Sequence, residues 1–315
     1  MIAITSQTTL ASDTAALTSG VVEMRTIEEA LAIGTLMSDS EAIKFGFMNF
    51  DLKVDDPGFG DDDTIQLKNS LDIIVVPYTW DLPSKKNERK HAISLRASFI
   101  KIKRENDVDE INGELEENTF SLYGNYSQYF HLTDYWYVES ALGLHLSYYQ
   151  NMYRYGDDVA ESIKEQLDNV VFNVSTLALI AEPEVGIGYQ KNETWGKWRA
   201  HNNLNYIYGH GISGSYKRPS KINPEGWRIT NGIEFAVEVP DLWGIDDFLS
   251  IDFKRIDLLG DMQPMADNKH YYETSFGWVI DTNNNIPLLD NIGIGFSVNY
   301  GSSISGGTVV LYFNE

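Results

Sequence analysis

The residues of this chain that could carry hydrolytic chemistry are few. Gly143-Leu144-His145-Leu146-Ser147 sets a histidine two positions from a serine, so in a strand both side chains emerge on one face. A Ser-His hydrolase also needs an Asn or Asp to orient the imidazole, and no Asn-Gly follows this serine as a lipid hydrolase of this size would require. His210, between Gly209 and Gly211, opens a polar stretch with carboxylates nearby, as a His-Asp protease would need. With 46 acidic residues in the chain, however, any histidine has carboxylates near it by chance. Asp55, Asp56 and Asp61 to Asp63 offer oxygen ligands of the kind calcium takes, but without the spacing and terminal Glu of an EF-hand loop. They read as a solvated acidic loop, which divalent ions could bridge to phosphate groups. Gly186-Ile187-Gly188 and Gly293-Ile294-Gly295 lie inside strand-like runs and open no helix, so neither is a phosphate loop. The expectation is a chain that is not an enzyme, with no catalytic residue, no metal site and no cofactor.

Composition narrows the partners. The 46 acidic and 24 basic side chains give a net charge of −22, which argues against nucleic acid, because phosphate backbones are bound by clustered Lys and Arg. There is no cysteine, hence no disulfide framework and no thiolate site. A mean hydropathy of −0.28 and frequent charges exclude a polytopic helical membrane protein, whose spans need about 20 apolar residues. A β-barrel survives that test, because its hydrophobicity is hidden in alternation.

The elements that must position these residues repeat with period two from Ala42 onward. Trp227, Ile229, Ile233, Phe235 and Val237 share one parity and Arg228, Thr230, Gly232 and Glu234 the other; only Asn231 breaks the apolar row. The same split marks Ile43 to Phe47, Ile93 to Phe99, Phe120 to Tyr126, Trp136 to Tyr148 and Val185 to Tyr189. It continues in Trp198 to Tyr208, Leu249 to Phe253, Tyr272 to Ile280, Ile292 to Tyr300 and Val309 to Phe313. In a further run, Ile65, Leu67, Leu71, Ile73 and Val75 are read as the apolar row opposite Gln66, Lys68, Ser70 and Asp72. That makes twelve candidate strands, many near the ten-residue length that crosses a bilayer at a tilt. Aromatic residues at the ends of several rows suit the two membrane interfaces. Short connectors at Leu132–Asp134, Lys191–Gly196 and Pro240–Asp246 alternate with long polar ones at Arg104–Asn118, Gln150–Thr176 and Gly209–Gly226. Within the last-but-one of these, Asp157 to Val170 reads as an amphipathic helix.

The expected fold is therefore all-β: a transmembrane antiparallel up-and-down β-barrel of about twelve strands, with an N-terminal helix in the pore. Residues 1–41 form a polar tail plus a short plug or linker helix, and 42–315 the barrel. Thr26-Ile27-Glu28-Glu29 fits a capping box, and Ile27, Ala30, Leu31 and Gly34 follow at helical spacing. The plug residues are Thr26, Ile27, Glu29, Leu31 and Gly34. The polar parity makes Lys44, Arg96, Glu139, His145, Arg199, Arg228, Glu234 and Glu273 pore-lining, and inward glycines such as Gly143, Gly188 and Gly277 would leave room for the helix. A soluble β-rich binding protein would also alternate, but could not line its core with unpaired charge.

The terminal Gly307-Thr308-Val309-Val310-Leu311-Tyr312-Phe313, with its aromatic near the end, resembles the signal read by the barrel-assembly machinery, although Asn314 and Glu315 follow it. Twelve strands behind one helix are similar to an autotransporter translocator domain. From about Val21 to Phe313 the chain resembles the family of solitary outer-membrane autotransporter barrels. That resemblance implies a Gram-negative outer-membrane protein, a signal peptide already removed, and a pore, plugged channel or structural role without a large passenger. It implies contact with the lipid bilayer and lipopolysaccharide, the barrel-assembly machinery as a partner in biogenesis, and a monomer. The alternative within the membrane is a barrel lipase or protease.

Overall fold

The computed structural model describes residues 26–40, 42–50, 69–83, 90–106, 113–156, 164–165, 167–215, 221–239, 247–263, 269–286, 289–301 and 305–313. The acidic loop at 55–63, the tail at 2–20 and most of the expected helix at 157–170 lie outside them. Helix α1 (Ile27–Met37) precedes twelve strands. These are β1 (Ile43–Phe50), β2 (Asn69–Leu82), β3 (Lys90–Asn106), β4 (Gly113–His131), β5 (Trp136–Tyr155), β6 (Ser175–Glu193), β7 (Gly196–Gly214), β8 (Glu225–Glu238), β9 (Asp247–Gly260), β10 (His270–Ile286), β11 (Leu289–Gly301) and β12 (Ser305–Phe313). Each strand pairs antiparallel with the next, and β12 returns to β1 with Ile43 opposite Leu311 and Phe45 opposite Val309. Closure leaves no open sheet edge, the condition under which strands can stand in hydrocarbon. No described helix is long and apolar enough to cross a membrane.

Parity sets the two faces of the wall. Ile292, Ile294, Phe296 and Val298 are 45–56% exposed on the outside, while Arg228, His145 and Ser297 on the other parity are buried inside. Strand β2 reverses the parity read from its sequence. Ile73 and Val75 turn inward and are buried, and Ile74 and Val76 face out, 44% and 47% exposed. Four consecutive apolar residues carry no alternation to read; the inward pair is apolar because it packs on α1.

Several strands outrun the bilayer. Strand β5 has 20 residues and β4, β6 and β7 have 19 each, whereas about 9–11 suffice to span. Much of the polar stretch from Arg104 to Asn118 is therefore ladder, with Arg104 opposite Leu115 and Asn106 opposite Gly113. Polar side chains do not stop a strand outside the membrane, because pairing is made by the backbone. Strand β2 likewise runs on through Pro77 to Leu82.

The inward glycines serve neighbouring rings. A Cβ on Gly143 would strike the ring of Tyr123, one on Gly188 the ring of Tyr137, and one on Gly277 the ring of Tyr312. Tyr137 stands directly opposite Gly188 across the β5–β6 ladder. The room these glycines leave is thus taken by aromatic side chains of the wall itself and not, as expected, by the helix, which is accommodated elsewhere in the lumen.

Candidate functional site

Helix α1 begins as its sequence dictates. Thr26 N–H donates to Glu29 Oε2 at 2.9 Å, and Glu29 N–H donates to Thr26 Oγ1 at 3.2 Å, completing the capping box. Every residue from Ala30 to Met37 is buried. Ala30, Leu31, Ala32, Ile33, Leu36 and Met37 share one apolar cluster with inward residues of the wall: Ile73 and Val75 of β2, Ile100 of β3, Tyr149 of β5, Ile180 of β6, Ile207 of β7, Ile256 of β9 and Tyr271 of β10. These side chains come from strands on several sides of the lumen, and the helix approaches β4, β5 and β8 most closely, so it stands inside the barrel. On the β4 side a Cβ at Gly34 would lie 2.9 Å from Thr119 Cγ2, so glycine is what lets the helix approach that wall.

The helix ends at Ser38, whose N–H donates to Gly34 O at 3.1 Å and whose hydroxyl donates to Thr35 O at 2.8 Å. No basic residue occupies the last turn, although a helix C-terminus carries partial negative charge. The wall supplies the cations. Just beyond the helix, Asp39 accepts from Arg96 Nη1 of β3 at 2.6 Å through Oδ1 and from Arg228 Nη1 of β8 at 2.8 Å through Oδ2. One carboxylate therefore ties the chain leaving the helix to two strands across the lumen. Asp39 belongs to the linker rather than a strand. Burial pushes its carboxyl up, but Arg228 and Arg96 outweigh that and hold it well below the usual carboxylate range.

Behind the clamp lies a polar layer. Arg228 Nη2 donates to Glu182 Oε1 at 3.0 Å, and His145 Nε2 lies 2.7 Å from Glu182 Oε2. Asn205 donates to Glu182 at 3.1 Å and to Glu184 at 2.7 Å. Arg96 stacks over Tyr123 at 4.3 Å, and that ring also packs on His145. Buried charge is tolerated here because it is paired and hydrogen-bonded. A cavity of about 30 Å³, room for one or two waters, sits beside the helix end among Leu36, Met37, Asp39, Lys44, Tyr271 and Glu273.

Of the residues picked from sequence, Arg96, His145 and Arg228 converge on this cluster. Lys44 and Glu273 form a separate pair at 3.3 Å, and Arg199 donates to Glu234 at 2.7 Å with His201 nearby. Glu139 is half-buried on the inward parity, opposite Gly186. His145 and Ser147 do not meet as a catalytic pair: Ser147 Oγ lies 2.9 Å from Ser121 Oγ. His210 is exposed beside Asn223. Asp39, Glu182, Glu184, Asn205 and Tyr123 were missed by sequence reasoning. Glu182 and Glu184 alternate around Pro183, whose missing N–H goes with a gap in the β6–β7 ladder; that proline hid their common inward parity.

The chain matches the family model described as the solitary outer membrane autotransporter beta-barrel domain over residues 28–315. No curated protein matches. Among solved structures, the transport unit of the autotransporter AIDA-I from Escherichia coli is similar at 11% identity and a TM-score of 0.57, over 92% of this chain and 98% of that one. The β domain of the Bordetella autotransporter BrkA is similar at 10% identity and a TM-score of 0.54, over 86% of this chain and 96% of that one. The chain belongs to the solitary outer membrane autotransporter β-barrel family.

Proposed function

We propose that this outer-membrane autotransporter-type barrel acts as a plugged channel whose resting state is closed by α1. The observation that carries the reading is the burial of the helix from Ala30 to Met37 within a ring of inward side chains from β2 to β10. A helix with side chains is about 10–12 Å across, and a barrel of twelve strands lies between those filled by their own side chains and those with an open channel. The Asp39 clamp holds the helix end in register with the wall. The role is in transport or membrane structure, not hydrolysis, which the separate partners of His145 and Ser147 support.

Planar-bilayer recording of purified protein tests this. The intact barrel should be quiet, and deletion of residues 26–38 should raise conductance while the band still shifts on heating. Equal conductance with and without the helix would refute the plug.

A further inference from the structure

Among the described residues, the outward rows of β7 and β8 carry a polar pair, flanked by apolar and aromatic side chains, that the plugged channel does not use. On β7 the outward row runs Trp198, Ala200, Asn202, Leu204 and Tyr206, and on β8 it runs Trp227, Ile229, Asn231, Ile233 and Phe235. Each asparagine therefore sits four residues from an aromatic on either side. The flanking aromatics mark the two interfaces, so Asn202 and Asn231 lie near mid-membrane. They face each other across the β7–β8 ladder, both are exposed, and Asn202 Nδ2 donates to Asn231 Oδ1 at 2.8 Å.

That single bond leaves a carbonyl on one amide and an NH2 on the other directed at hydrocarbon, where water cannot satisfy them. Polar side chains within a membrane are costly and find partners in other protein. The next strand continues the patch: Arg255 stands opposite Asn231 in register and is paired with Asp257 on the same outward face. The patch thus offers one free acceptor, one free donor, one cation and one anion. Such a surface is complementary to itself under a two-fold rotation, the commonest symmetry of homo-oligomers. Ala200, the small residue beside Asn202, allows close approach.

We propose that the β7–β8–β9 face around Asn202 and Asn231 binds a second copy of this chain in the bilayer, with Asn202 of each copy accepting from Asn231 of the other. This departs from the monomer expected from sequence. It is independent of the plug, since every residue involved faces outward.

The absence of cysteine makes the test direct. Ala200→Cys should form a disulfide-linked dimer in oxidised outer-membrane vesicles, whereas Ile294→Cys on the β11 face should not. Adding Asn202→Leu and Asn231→Leu to Ala200→Cys should abolish the dimer band while heat-modifiable migration persists. Cross-linking of Ala200→Cys no stronger than that of Ile294→Cys would overturn the proposal, whether lipid or another protein covers the face. So would a dimer that survives both leucines. The two single-cysteine proteins decide the matter even if the leucine variant does not fold.

Discussion

Replacing Asp39 with alanine removes both arms of the clamp at once. Arg228 keeps Glu182, but Arg96, 8% exposed, keeps only the face of Tyr123. Hydrogen bonds to charged groups contribute about 1.5–3 kcal/mol each, and breaking a buried pair costs about 3–5 kcal/mol. The Asp39 side chain is 44% exposed, so solvent screening lowers the cost to about 1–3 kcal/mol. That is about a 5- to 150-fold shift from docked toward undocked helix. Single-barrel recordings in planar bilayers should show openings more frequent by that factor. The conductance of each opening should equal that of the barrel lacking residues 26–38, because the substitution changes the population of the open state and not its width. An Asp39→Ala barrel as quiet as the parent, beside a helix deletion that conducts, would refute the clamp as the device holding the helix. A larger step than the deletion gives would show instead that the wall had been deformed.

The sign of the pH response follows from the same carboxylate. Its docked value lies below the ordinary one, so the clamp is fully formed above about pH 4 and is lost as pH falls below that; recordings at pH 7 and 5 should match, and openings that rise between them would assign control to another group. Gly188→Val should force the Tyr137 ring off the wall at a cost of about 1–3 kcal/mol, lowering the temperature at which the folded band disappears on a denaturing gel. Adding Tyr137→Ala should recover part of that loss if the ring is what the glycine accommodates. Thr26→Ala should cost about 1 kcal/mol of helix stability and raise opening frequency by less than Asp39→Ala. Purified protein should hydrolyse neither phospholipid nor peptide, and turnover lost in His145→Ala would contradict the separate partners of His145 and Ser147.

Much of the architecture was legible because its signals are local. Alternation along Trp227 to Val237 or Ile292 to Tyr300 reports two solvents on two faces, and neighbouring residues alone encode it. The capping box at Thr26 and Glu29 spans four positions and fixes where the helix begins. Where the signal vanished, reading failed: Ile73 to Val76 are apolar on both faces because one meets lipid and the other α1, and Pro183 masked the parity of Glu182 and Glu184. The glycines illustrate a different limit. Their inward direction was readable, but whether a gap holds a helix or a tyrosine ring depends on inter-strand register.

The sequence by itself determined an outward apolar surface, an inward polar one, twelve strands and a helix ahead of them, since each follows from periodicity over a few residues. Tertiary structure alone decided that Asp39, Arg96 and Arg228 form one clamp and that Asn202 meets Asn231 on the lipid face. The physical reason is closure: joining β1 to β12 brings residues far apart in the chain across one narrow lumen, and pairing register then fixes which side chains share a level.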